Sequence, residues 1–65
     1  MNLVEGLTNE ILRVTEIQRE YKQIPAGAFA AALMEIDLKE AKEALATLDI
    51  LRMIPIYKKL KEWEL

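Results

Sequence analysis

The tetrapeptide Ile24-Pro25-Ala26-Gly27 limits what this chain can fold into more than any other feature. Proline removes a backbone donor and pushes the residue before it toward an extended conformation, so a regular helix does not run through this point. The sequence on either side is dominated by Leu, Ala, Glu, Lys, Ile and Met, which lose little side-chain freedom in a helix or pack well along one. Strand formers are scarce. The expectation is an all-α protein: a three-helix bundle, or a helical hairpin plus a short kinked third helix, completed by oligomerisation.

Helix 1 is expected over about residues 3–23. Asn2 stands three residues before Glu5, the spacing of a reciprocal cap. Leu3, Leu7, Ile11, Val14, Ile17 and Tyr21 then recur at steps of four and three, which marks one buried stripe. Arg13, Glu16, Arg19 and Glu20 belong to the solvated side. Gly6 costs ~1 kcal/mol relative to Ala inside a helix. It points to fraying or to a close helix contact, placed here opposite the small residues Ala28, Ala30, Ala31 and Ala32.

Helix 2 is expected over about residues 27–47, with Phe29, Leu33, Ile36, Ala41, Ala44, Leu45 and Leu48 on its apolar face and Glu35-Lys39-Glu43 on its charged one. Helix 3 is expected over about residues 50–62, capped by Asp49. Pro55 at its sixth position loses a hydrogen bond at ~3 kcal/mol in a regular helix, so the helix is either kinked there or restarts with Pro55 in its first turn. Either way Ile50, Ile54, Tyr57 and Leu60 are expected inside.

Several segments, Leu3-Val4-Glu5-Gly6-Leu7-Thr8, Arg13-Val14, Pro25-Ala26-Gly27-Ala28-Phe29 and Asp49-Ile50, together resemble small uncharacterised helical proteins met among phage and prophage genes. The resemblance implies a three-helix fold and a bacterial or viral origin. It carries no activity and no functional residue. In that group a glycine precedes the aspartate and the third helix lacks proline, so Leu48 and Pro55 depart from the pattern at the junction of helices 2 and 3.

With 65 residues the chain is one domain, residues 1–65. It contains no Cys, His or Ser, which removes disulfides, the common zinc ligands, the serine nucleophile and the most frequent general base. Glu16 with Glu20 and Glu40 with Glu43 are one helical turn apart, but a di-iron bundle site needs a Glu-x-x-His pair as well. Such carboxylates read as solvated helix faces. No catalytic residue, cofactor or metal is expected. A net charge of -2 supplies no general electrostatic pull on nucleic acid. The longest uncharged run, residues 23–34, is shorter than the ~20 residues of a membrane span, and the acidic N-terminus is unlike a signal peptide. A cytoplasmic location is the expectation.

What remains is association. A chain of this mass buries only ~60% of its unfolded surface. Val4, Leu12, Met34, Leu38, Leu51, Met53, Ile56 and Trp63 lie outside the assumed stripes, more apolar surface than a monomer of this size hides well. The expected function is a non-enzymatic protein interaction module that pairs first with itself, as a homodimer, and then with a larger protein. Its expected contact residues are Phe29, Leu33, Met34, Leu38 and Leu45 on helix 2 and Met53, Tyr57 and Trp63 on helix 3. On this reading Leu38→Asp dissociates an oligomer and leaves a monomer folded. The alternative is a small regulator or inhibitor that contacts nucleic acid, or an enzyme acting on it, through Arg52, Lys58, Lys59 and Lys61 interleaved with Tyr57 and Trp63.

Overall fold

The computed structural model describes residues 2–65. It holds three helices: α1 (Leu3–Lys22), α2 (Ala28–Thr47) and α3 (Ile50–Lys61), with one turn of 3-10 helix over Pro25–Gly27. Each start and stop has a local cause. At the head of α1 the Asn2 Oδ1 accepts the Glu5 N–H at 2.8 Å, and the Asn2 amide reaches back to the Glu5 carboxylate at 3.4 Å. Ile24 is extended (φ -105, ψ 123), as the proline after it demands, and Pro25 opens the 3-10 turn.

The turn closes tightly on the backbone of α1. Gly27 has an ordinary φ of -89, yet a Cβ placed on it runs into the carbonyl oxygen of Tyr21, with the carbonyl carbon 3.1 Å away. Glycine is required here by space, not by dihedral freedom. The close approach expected between Gly6 and the alanines at the start of α2 is not formed. Because α2 runs back along α1, Gly6 lies at the far end of the pair from Ala28–Ala32, and it is buried there.

Helix α2 ends in a left-handed residue. Leu48 has φ 52 and ψ 40; its N–H donates to Leu45 O at 3.2 Å, and the Asp49 N–H donates to Ala44 O at 3.0 Å. This pair of bonds satisfies carbonyls that a helix end otherwise leaves open, and glycine is the usual occupant because a Cβ is strained in that conformation. Leu48 is exposed, so its side chain returns little packing. Leu48→Gly is expected to stabilise the fold by about 1 kcal/mol and raise Tm by roughly 5 °C, read by thermal melting. An unchanged or lower Tm would show that the strain is absent.

Helix α3 follows at once from Asp49 and is unbroken through Pro55, so of the two expectations the restart at the proline does not occur. The residues that bear the consequence, Pro55 and the Leu51 whose carbonyl lacks a donor, are both exposed, which lets water take that carbonyl.

The core is drawn from all three helices: Leu7, Ile11, Val14 and Ile17 from α1, Met34, Leu38, Ala41 and Ala44 from α2, Met53, Ile56 and Leu60 from α3. The stripe read for α1 matches. The face assigned to α2 does not, since Phe29, Leu33, Ile36 and Leu48 are exposed while Met34 and Leu38 are fully covered. On α3 the burial moves from Ile50 and Ile54 to Met53 and Ile56. The reason is the same in both helices: apolar residues occupy more than half the circumference, so two neighbouring stripes are equally apolar. The one flanked by Ala31, Ala41 and Ala44 lets α1 and α3 come close, and it is the one buried.

Candidate interaction surface

The total accessible surface is 4452 Å². A compact monomer of this mass is expected to expose about 4,200 Å². The core therefore closes within one chain, and any apolar residue left outside is a property of the surface.

Of the eight residues expected to make contact, the structure places Met34, Leu38 and Met53 in that core at 0–1% exposure, where a partner cannot reach them. Leu45, Tyr57 and Trp63 are half-buried and pack against the core. Phe29 and Leu33 are outside, at 76% and 39% exposure. Ile36, 62% exposed, joins them. These three positions are spaced i, i+4, i+7, one continuous stripe on the outer side of α2. Glu40 bounds the stripe at its C-terminal end. A second exposed apolar group, Leu48, Ile50, Leu51 and Ile54, covers the turn and the first half of α3.

The edge of the outer α2 stripe meets a clasp that holds the C-terminal segment. Asp37, one turn beyond Leu33, is buried; its carboxylate accepts the Trp63 indole N–H at 2.8 Å and pairs with Lys59 Nζ at 3.1 Å. From α1, the Arg13 guanidinium donates to Leu60 O at 2.9 Å and Trp63 O at 2.8 Å, and it is itself fixed by Glu10 at 2.9 Å. Tyr21 Oη donates to Glu64 O at 3.2 Å. Two side chains of α1, Arg13 and Tyr21, thus satisfy the last carbonyls of α3 and its extension, a role cations often fill at helix ends. A cavity of about 260 Å³ lined by Asp37, Lys59, Glu62 and Trp63 opens beside the clasp.

On the opposite edge of α2 a shallow groove of about 430 Å³ runs between α1 and α2, with Ala28, Ala31 and Ala32 along it and Gln18, Lys22 and Glu35 at its sides. Gln18 is buried and donates to Ala31 O at 3.1 Å and to the Glu35 carboxylate at 2.8 Å. That hydrogen bond, first among the causes, holds the Glu35 carboxyl below the usual range; desolvation, second in size, opposes it, and Lys42, Lys22 and Lys39 add to the lowering. A carboxyl lowered in the folded state stabilises above its unfolded pKa, and the contribution is lost as pH falls through the folded value. Carboxyl NMR is expected to show Glu35 titrating below the ordinary glutamate range, a shift that Gln18→Leu reduces.

No family model matches the chain, and no curated protein or solved structure matches it. Geometry alone must then weigh the surfaces. Among the described residues no group of three or more Asp or Glu side chains is placed to hold a metal ion. Among the described residues no helix is long and apolar enough to cross a membrane. The basic residues of α3 are partly committed, Lys59 to Asp37 and Arg52 to Glu43 at 3.3 Å, while Lys61 lies 5.0 Å from the Tyr57 ring centre. Trp63 gives its indole N–H to Asp37, which commits its one hydrogen-bond donor within the chain.

Proposed function

We propose that this chain is a small, non-enzymatic helical interaction module of the cytoplasm, and that its first partner is a second copy of itself. The observation that carries the reading is the Phe29-Leu33-Ile36 stripe: three large apolar side chains, aligned on one helix face, outside a core that is complete without them. Aromatic and large aliphatic residues at the centre of a contact supply most of its energy. Three such residues on one helix belong to the small, reversible class of interface, with Kd on the order of micromolar.

Light scattering across a concentration series tests it. The mass is expected to rise from that of one chain, 7.5 kDa, toward twice that value. Phe29→Asp is expected to hold the mass at one chain while leaving the helical circular dichroism and Tm unchanged, since Phe29 touches no part of the core. A wild-type chain that stays monomeric at the highest concentration overturns the proposal.

A further inference from the structure

We propose that α3 exchanges between two copies of the chain: the Leu48-Asp49 turn straightens, α2 and α3 become one continuous helix, and each α3 docks on the α1 and α2 of the partner. This goes beyond the association through the outer face of α2 and does not depend on it.

The turn is the observation that carries the exchange. Only Leu48 and Asp49 separate α2 from α3, and Leu48 is the one non-glycine residue with positive φ among the described residues. A Cβ is strained in the left-handed region, and a short hinge under strain is the feature that invites exchange over folding back. Asp49 gives the first N–H groups of α3 no side-chain cap. A continuous helix relieves Leu48 and offers the N–H groups of Ile50 and Leu51 the carbonyls of Ala46 and Thr47, four residues back. Neither glycine nor proline stands between Ala28 and Ile54 to prevent it. The other connection cannot straighten, because Pro25 holds Ile24 extended.

The buried positions are already in step for a single helix. Leu38, Ala41, Leu45, Met53, Ile56 and Leu60 all pack in or against the core, and with Asp49 filling the one gap they recur at intervals of three and four straight across the turn. Two helices that only fold back on each other need not share a phase. Here the phase of α2 runs on into α3, so the long helix keeps one apolar side, its first half meeting α1 of its own chain and its second half α1 of the partner. The clasp is then re-formed between chains, with Arg13 on the carbonyls of Leu60 and Trp63 and Asp37 on the Trp63 indole. Since these contacts are the same in both forms, the turn and the protein concentration set the balance between them.

Phe29→Asp, which removes the contact through the outer face of α2, is the background for the test. Heated above Tm at high concentration and cooled, it is expected to yield, beside the monomer, a dimer that survives dilution and decays no faster than the chain unfolds, because α3 must undock before the copies part. In a dimer refolded from isotope-labelled and unlabelled chains, filtered NOEs are expected from the Trp63 indole proton of one chain to the Asp37 β protons of the other. Leu48→Gly is expected to weaken this dimer at least about a hundredfold, by relaxing the folded-back turn and loosening the long helix once per chain and so twice per dimer. Asp49→Ala, a better helix former at a position whose side chain caps nothing, is expected to strengthen it roughly tenfold. No dimer after the heating cycle, a dimer without NOEs between chains, or one indifferent to Leu48→Gly overturns the exchange and leaves association through α2 standing. A wild-type chain that stays monomeric in the light-scattering series, with the exchanged dimer still formed after heating, overturns that association and leaves the exchange.

Discussion

Leu38→Asp is expected to unfold the chain, not to separate two folded copies. Leu38 is 1% exposed and sits in the cluster with Leu7, Val14, Met34 and Leu60. Truncating such a side chain costs about 2–5 kcal/mol before any charge is considered. A carboxylate left there without a partner adds desolvation of several kcal/mol more, or takes up a proton at some of that cost. Against this, a domain of this length holds roughly 3–10 kcal/mol in total. Far-UV circular dichroism at 25 °C is expected to show loss of helix. Retention of native signal with Tm within a few degrees would mean Leu38 is not in the core. The pair of variants separates the two faces of α2 cleanly, because Phe29→Asp introduces the same charge two and a half turns away with no loss of fold.

Gly27→Ala is the second large effect. The added methyl meets the carbonyl of Tyr21, which is backbone and cannot swing aside. Relief must come from shifting the 3-10 turn or the last turn of α1, and that shift disturbs the Ile24 N–H bond to the same carbonyl at 3.1 Å. The expected loss is about 3 kcal/mol, the upper part of the range for overfilled sites, with Tm lower by roughly 15 °C. Ala26→Gly, the reverse chemistry at the exposed neighbour, is expected to cost below about 1 kcal/mol. Equal Tm values for the two variants would show that the turn tolerates a side chain at either position.

How far the sequence could be read depended on how many arrangements each segment allows. Helix α1 was legible to within a residue because Asn2 and Pro25 fence it and its charged residues fill the other side, leaving one stripe to bury. The ends of α2 and α3 were legible for the same reason, through Pro25 and Asp49. The rotation of α2 was not, since Phe29-Leu33-Ile36 and Met34-Leu38-Ala41 are equally apolar, and bulk alone favoured the wrong one. The tie is broken by the alanines, whose small size matters only once two other helices are present. The clasp lay further out of reach. Arg13 and Trp63 are 50 residues apart, and nothing local distinguishes Arg13 from the surface cations around it. Asp37 did carry a signal: it falls three residues after Met34 and four before Ala41, on the buried stripe, so a lone acid there required a donor.

The same separation along the chain has a consequence in time. Contacts between α1 and α2, and between α2 and α3, join neighbours in sequence across short turns, and such local contacts form fast. The clasp joins residues from opposite ends, so its loop is the longest to close. The chain's one tryptophan sits in it, hydrogen-bonded to Asp37. Indole fluorescence therefore watches the final docking of the C-terminal segment, whereas backbone ellipticity watches helices that do not wait for it. Followed side by side after a temperature jump, the two signals would date the moment at which a helical hairpin becomes a three-helix protein.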